Sequence, residues 1–175
     1  MSMEDYIAAR KEGIKQLHAL ESRGQDPYLP VLAELVPKLN QMAQVPLGLV
    51  QIELNQIEGT ATKGRTTAFA RGFLPLLEQD SEFATKWSIL YDGIVEDGLR
   101  QPIVALEYYN RFYIVEGNKR VSVMRRLDAV NIEANVTRVL PEAEDSERYR
   151  VYQEFLSFYA DTKLNFICLL YTSPS

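Results

Sequence analysis

The chain has 175 residues, of which 46% are hydrophobic and 25% charged, and its formal net charge is −5 with a sequence pI near 5.0. These values are typical of one globular domain with appendages. No apolar run of roughly 18 or more residues and no basic-then-apolar leader is present, so we expect a cytoplasmic protein with no membrane partner. The acidic balance argues against a surface that binds DNA over its whole extent.

The single histidine, His18, and the single cysteine, Cys168, exclude the common zinc sites, which need about four such ligands. Residues 168–175 resemble translated sequencing-adapter sequence, so we expect them to be no part of the native fold. We therefore expect the native chain to continue past Ile167, which would make this sequence a fragment.

The first 45 residues predict an N-terminal helical arm. Residues 3–22 have a helical pattern with one narrow apolar face. That face comprises Met3, Ile7, Ile14 and Leu17. The stretch 29–42 contains Pro30 and Pro37, so it predicts two short helical pieces at most.

A strand, a loop and two helices are predicted next. Alternation predicts a strand over 49–54, and the Gly/Thr/Lys-rich stretch 58–67 predicts a mobile loop. Residues 68–77 indicate a short helix despite a glycine and a proline. The clearest helix covers 81–97, with Gly98 at its end and an aromatic stripe that predicts core.

Residues 102–108 and 112–116 predict a hairpin that turns at Asn110-Arg111. A helix over 118–128 follows, with Arg125 and Arg126 predicted to point away as solvated charges.

The predicted elements end with a strand over 132–139 and a helix over 146–160. This helix has a large aromatic face formed by Tyr149, Tyr152, Phe155, Leu156 and Tyr159. The face either covers the core or forms an interface, for self-association or for the missing C-terminal region.

The most informative feature is the helix start after Gly117, because its first turn carries Lys119 and Arg120. Cations at a helix N-terminus are unfavourable by about 0.3–1 kcal/mol each unless an anion lies in front of them. A phosphate would fit there. The alternative is a solvent-facing turn in which Arg120 pairs with Glu116 or Asp97.

Two ordered motifs carry a resemblance to a known fold. The first comprises Gly98, Gln101, Pro102 and Ile103, and the second comprises Gly117, Asn118, Lys119 and Arg120. Over residues 46–140 the chain resembles the ParB/sulfiredoxin family. The resemblance implies an α+β fold, a small mixed sheet with helices, preceded here by the arm of residues 1–45 and followed by a helix within 141–167. Arg65 is a weaker third match to an arginine after the first strand of such domains.

What the resemblance implies depends on position 118. Sulfiredoxins have their reactive cysteine there, and Asn118 cannot act as a thiolate nucleophile, so sulfiredoxin activity is not expected. In ParB-type partition proteins the matching helix start binds the triphosphate of CTP with magnesium. Related small-molecule kinases of this fold have an acidic residue before the motif glycine, as Glu116 stands here.

We therefore expect a domain that binds a nucleotide (CTP-like) or another phosphate compound. Its expected nucleotide-binding residues are Arg65, Gly98, Gln101, Pro102, Gly117, Asn118, Lys119 and Arg120, with Asn118 or Glu116 touching Mg²⁺. One alternative is a phosphotransferase or nucleotide hydrolase with Glu116 as the catalytic base. Another is a DNA-associated regulator whose DNA-reading region is missing. Replacing Arg120 by alanine is expected to weaken ligand binding and to leave folding almost unchanged.

A local basic patch is also expected, of a size that suits one nucleotide better than a duplex. Its candidates are Lys63, Arg65, Arg71, Lys119, Arg120, Arg125 and Arg126.

Overall fold

The computed structural model of the chain describes residues 2–64 and 66–162. It is an α+β fold built on one mixed sheet, as the resemblance implies, and the sheet has five strands where the sequence predicts four. The strands are β1 (Gln44–Glu53), β2 (Ile57–Thr60), β3 (Ile103–Tyr108), β4 (Arg111–Glu116) and β5 (Asn131–Val139). The α-helices are α1 (Ser2–Ser22), α2 (Leu32–Leu35), α3 (Glu82–Asp97), α4 (Asn118–Arg126) and α5 (Glu147–Thr162). Within the described residues, no helix has both the length and the apolar character needed to cross a membrane.

The strand order in the sheet is β1-β5-β3-β4-β2. Antiparallel pairing joins β1 to β5 and β3 to β4, whereas β3 runs parallel to β5 and β2 runs parallel to β4. The predicted β3–β4 hairpin is confirmed, but its turn lies one residue earlier, at Tyr109-Asn110. Both turn residues have positive φ, 49° and 63°, which suits the twist of a two-residue hairpin turn.

The main core lies on one face of the sheet, under α1, α3 and α4. Trp87 of α3 is fully buried at its centre, with the Tyr6 ring edge-on to it at 5.3 Å between centroids. The indole Nε1 of Trp87 donates a hydrogen bond of 2.9 Å to Ser122 Oγ on α4. Because α1 contributes Tyr6 to this cluster, the N-terminal helix shares the core of the sheet. A smaller cluster around Leu32 and Tyr113 covers the opposite face.

The helix predicted over 3–22 is confirmed, but its predicted apolar face is only partly inward: Met3 packs against the core, whereas Ile14 and Leu17 are half-buried. The buried residues are Tyr6, Ala9 and Gly13, while Ile7 is exposed. Small side chains let α1 approach closely: a Cβ on Gly13 would lie 2.5 Å from the Pro75 carbonyl oxygen. Alanine and glycine have little or no apolar side chain, so a search for hydrophobic periodicity could not identify the buried face formed by Tyr6, Ala9 and Gly13.

The loop predicted over 58–67 is wrong for its first residues, which belong to β2. Gly59 is required there because a Cβ at this position would collide with the Pro30 carbonyl oxygen. The Thr60 N–H donates to that same carbonyl at 2.9 Å, and Ala61 N–H donates to the Ile114 carbonyl at 2.8 Å. This strand depends on partners distant in sequence, which local composition does not reveal.

The short helix predicted over 68–77 is also wrong as a continuous element. One single turn of 3₁₀-helix, Thr66–Ala68, ends at the start of this segment, and a second, Arg71–Phe73, lies within it. Positive φ values at Gly72 (78°) and Phe73 (68°) interrupt any helical path. The two aromatic residues Phe69 and Phe73 are nonetheless buried in the core.

The aromatic face of α5 covers the core, the first of the two predicted alternatives. Tyr152 is buried and its hydroxyl donates to the Glu107 carboxylate, at 2.6 Å from Oε1 and 2.5 Å from Oε2. Arg138 Nε donates to Glu107 Oε1 at 2.9 Å, and its guanidinium lies over the Phe155 and Tyr159 rings. Burial raises the pKa of Glu107, and the Arg138 charge opposes that rise. This buried network joins α5 to β3 and β5.

Replacing Tyr152 by phenylalanine tests that network. The buried carboxylate of Glu107 would lose the hydroxyl that donates to both of its oxygens. We expect the free energy of unfolding to fall by about 1.5–3 kcal/mol, the usual range for hydrogen bonds to charged groups. Tyr149→Phe is the matched control on α5, because among the described contacts its hydroxyl has no carboxylate partner. Equal stability of the two variants in urea denaturation would contradict the structural role of the network.

Candidate functional site

A cleft of about 810 Å³ lies between α3 and the start of α4. Gly98 and Gln101 of the first motif and Gly117, Asn118, Lys119 and Arg120 of the second all line it. The motifs are up to two dozen positions apart in sequence, and the sheet brings them together because each lies at the end of β3 or β4 nearest the cleft. The two motifs therefore line one concavity, whereas the binding roles of their residues remain predictions.

Gly117 determines how α4 begins. It has φ 114° and ψ 27°, and a Cβ there would lie 2.6 Å from Ile103 Cγ2. Only glycine fits this position without strain. As the residue before the helix, Gly117 also provides no side-chain oxygen to cap the first turn, and that turn contains no acidic residue. The N-terminus of α4 therefore faces the cleft with its positive dipole end uncompensated by a cap or a carboxylate.

Arg120 holds the two motifs together. Its Nη1 donates hydrogen bonds to the backbone carbonyls of Gln101, at 3.0 Å, and Pro102, at 2.9 Å. The side chain is only 13% exposed. The bonds connect the first turn of α4 to the turn that precedes β3, so this arginine is part of the structure of the site.

This arrangement corrects the expectation that folding would tolerate the loss of Arg120. It also argues against the alternative in which Glu116 is the main partner of Arg120. The distance from Arg120 Nη2 to Glu116 Oε1 is 3.9 Å, too long for a hydrogen bond, and the Glu116 side chain is 65% exposed. Such an exposed ion pair contributes little. The principal partners of Arg120 are backbone carbonyls.

Four cationic side chains and one carboxylate line the cleft of this acidic protein. Two of the cations form exposed ion pairs, Lys86 with Glu82 at 2.7 Å and Arg100 with Asp97 at 3.0 Å. Lys119 has its Nζ 5.4 Å from the centroid of the Phe83 ring, within cation–π range. The lining thus has a local excess of positive charge.

Asn118 contributes a polar atom with an open hydrogen-bonding capacity. Its Oδ1 is buried and has no hydrogen-bond partner in the described structure. Buried polar atoms are almost always paired, so this unpaired oxygen, on a residue that lines the cleft, is a candidate acceptor for a ligand N–H or a cation. No group of three or more His, Cys, Asp or Glu within residues 2–64 and 66–162 could hold a metal ion. The role of Asn118 in holding Mg²⁺ stays a prediction.

Two other predicted site residues, Glu116 and Pro102, do not line the cleft. Glu116 is exposed at the end of β4, outside the lining, and its catalytic role stays a prediction. Pro102 contributes its carbonyl to Arg120 and is likewise absent from the lining. Arg65 lies outside the described residues, as do residues 163–175 with the suspected adapter segment.

The expectation that Arg125 and Arg126 are solvated charges is wrong. Arg125 Nη2 donates to the carbonyls of Leu54, at 2.6 Å, and Ile57, at 3.0 Å, and burial lowers the pKa of Arg125. Arg126 approaches two carboxylates of α1, Asp5 at 3.7 Å and Glu12 at 3.6 Å.

Two further cations of the predicted basic patch have partners elsewhere. Lys63 lies 3.6 Å from Glu34, and Arg71 Nε donates to the Asp26 carbonyl at 2.9 Å. Among the described members of the expected patch, only Lys119 and Arg120 line the cleft.

Sequence reasoning missed the apolar wall of the site. The residues that form it are Phe69, Phe83, Ile89, Leu90, Ile94 and Leu99. Helical spacing led us to expect the α3 members to be core, and Phe83 and Ile94 are indeed buried. Ile89 is 66% exposed. In the sequence, an apolar residue outside the aromatic stripe of this helix was the available signal for the apolar wall. The cleft therefore has one apolar wall on α3 and one cationic wall on α4.

Comparisons with known proteins found similarity to solved structures alone. No protein-family model matches the chain, and no curated protein matches it. It is similar in structure to sulfiredoxin from Arabidopsis thaliana, with 23% identity over 50% of this chain and 82% of that one and a TM-score of 0.36. It is also similar to the C-terminally truncated chromosome-partitioning protein ParB from Caulobacter crescentus complexed with CTP-γ-S. That match has 14% identity over 67% of this chain and 54% of that one, with a TM-score of 0.36. At these values the similarities bear on neither activity nor ligand.

Replacing Arg120 by alanine tests its structural role directly. The variant loses two charge-assisted hydrogen bonds to the Gln101 and Pro102 carbonyls. We expect the free energy of unfolding without ligand to fall by about 1.5–3 kcal/mol. Arg100→Ala removes a cation that is 78% exposed on the same cleft and should change stability by less than about 0.5 kcal/mol. If Arg120→Ala is as stable as the wild type in chemical denaturation, the anchoring role assigned here is wrong.

Proposed function

We propose that the cleft between α3 and α4 binds a nucleoside triphosphate or a closely related phosphate compound. The observation that carries this proposal is that Lys119, Arg120 and an uncapped helix N-terminus line one cleft of about 810 Å³, in a chain whose net charge is −5. Helix N-termini with basic side chains favour phosphate groups. A volume within roughly 300–1,000 Å³ is ordinary for small-molecule sites.

In this proposal the phosphates lie at the start of α4. Backbone N–H groups of the first helical turn donate to phosphate oxygens, because an α-helix has no internal acceptors for them. Lys119 and Arg120 neutralise the charge. Since Arg120 Nη1 is held by two carbonyls, its Nη2 and Nε are the donors that remain for the ligand. The anchored guanidinium is thereby oriented before the ligand arrives, which lowers the entropic cost of binding.

Magnesium enters this proposal with the ligand. Because Mg²⁺ commonly keeps several waters and binds through substrate phosphates, it needs few protein atoms. Asn118 Oδ1 is the atom that fits, as a buried oxygen with no partner in the described structure. The metal would neutralise part of the phosphate charge.

Binding is favoured over catalysis and over DNA recognition. A base at Glu116 would act from outside the lining of the cleft. Duplex binding usually requires many phosphate contacts, whereas Arg125 and Arg126 are engaged within the fold. Neither alternative has an observation that favours it.

The test is isothermal titration calorimetry of the protein with each of the four ribonucleoside triphosphates in the presence of Mg²⁺. CTP is titrated first, because the ParB structure contains its analogue CTP-γ-S. Lys119→Gln should weaken binding about tenfold, equivalent to ~1.4 kcal/mol, because it removes a cation from the phosphate end. Lys11→Gln makes the same charge change at an exposed position on α1 and should leave affinity unchanged.

A saturating nucleotide at 100 times its Kd should also raise the free energy of unfolding by about 2.7 kcal/mol. The absence of binding by any of the four nucleotides would refute the proposed function. Equal effects of the two lysine substitutions would place the phosphates elsewhere on the protein.

A further inference from the structure

Gly93 lies in the interior of α3 with no evident structural reason to be glycine. Glycine weakens a helix interior relative to alanine, so a glycine there usually relieves a close contact or a positive φ. Neither applies at this position. A Cβ built on Gly93 has no atom within 4 Å, and the residue does not have a positive φ. By contrast, Gly13 in α1 has a carbonyl oxygen 2.5 Å from the position of its missing Cβ.

The position of Gly93 on α3 is the second observation. The α3 residues that line the cleft form a stripe at helical spacing, and Gly93 lies in the middle of it. The stripe comprises Lys86, Ile89, Leu90, Gly93, Ile94 and Asp97. Because Gly93 has no side chain, the wall is indented there and the α3 backbone faces the cleft between Leu90 and Asp97.

The charges along the stripe distinguish its centre from its ends. Lys86 with Glu82 lies at one end, and Asp97 with Arg100 lies at the other. Around Gly93 the wall is apolar, with Ile89 66% exposed. A flat group with an apolar face fits such an indentation, whereas a phosphate would lack donors there.

We propose that Gly93 provides the surface against which the base of the bound nucleotide packs. The base lies against the α3 backbone in this indentation, while the phosphates lie across the cleft at the start of α4. This inference rests on the proposed function, because it places the second half of the same ligand. It predicts that a side chain at position 93 stabilises the ligand-free protein against unfolding and prevents the base from binding.

The test compares the wild type with Gly93→Leu, using CTP, UTP, ATP and GTP and, separately, inorganic triphosphate as probes. Gly93→Leu should raise the urea midpoint of the free protein, because leucine favours helix more than glycine does. It should weaken the best nucleotide at least tenfold and leave the Kd of inorganic triphosphate unchanged. Asp92→Leu adds the same side chain at the next, exposed position of α3, outside the cleft lining, and should not weaken nucleotide binding.

The outcomes separate this inference from the proposed function. If Gly93→Leu binds nucleotide as the wild type does, the base lies elsewhere and the inference is overturned while the proposed function stands. Equal weakening of nucleotide and inorganic triphosphate also overturns it, because the whole site would then be affected. If neither probe binds the wild type, both proposals fail. Should Gly93→Leu not fold, Gly93→Ala provides the same comparison with a smaller side chain, and a lower urea midpoint for it would contradict the inference.

Discussion

The hydrogen bonds from Arg120 Nη1 to the carbonyls of Gln101 and Pro102 are the interaction on which the site depends. They join the turn before β3 to the first turn of α4, and both turns line the cleft. The contact at Gly117 reinforces them, since only a residue without Cβ lets the chain pass Ile103 at this point. A guanidinium held in this way has a fixed orientation, so the cationic wall of the cleft is formed before any ligand binds.

Helix α4 acts as the connecting element of the molecule because its polar side chains reach three different parts of the fold. Arg120 holds the β3 turn, Arg125 holds the segment between β1 and β2, and Arg126 faces the carboxylates of α1. Ser122 accepts the Trp87 indole hydrogen bond, which connects the two helices that form the cleft walls. The cleft is consequently enclosed by elements whose relative positions are determined by buried or half-buried polar contacts.

Local signals in the sequence were sufficient for the elements that depend on local chemistry. The β3–β4 hairpin, the end of α3 before Gly98 and the helix start after Gly117 follow from turn residues, alternation and helical spacing. Interactions with backbone atoms have no such signature. The carbonyl partners of Arg120 and Arg125, the pairing of β2 with β4, and the buried Glu107–Arg138 pair arise from contacts distant in sequence. Local sequence therefore predicts that a charged side chain is solvated even where the folded protein binds it to backbone carbonyls.

The most direct test of nucleotide binding in the cleft is the ¹H–¹⁵N NMR spectrum of the protein during titration with each ribonucleoside triphosphate in turn, with Mg²⁺ present. We predict that the largest chemical-shift changes for the best-binding nucleotide occur at the amides of residues 117–120, with further changes at 98–101 and along the cleft face of α3. Amides of α5 and of the Glu107–Arg138 network should change little, since they lie at the opposite end of the sheet. Shifts centred outside the cleft, or a spectrum unchanged by all four nucleotides, would contradict nucleotide binding in the cleft.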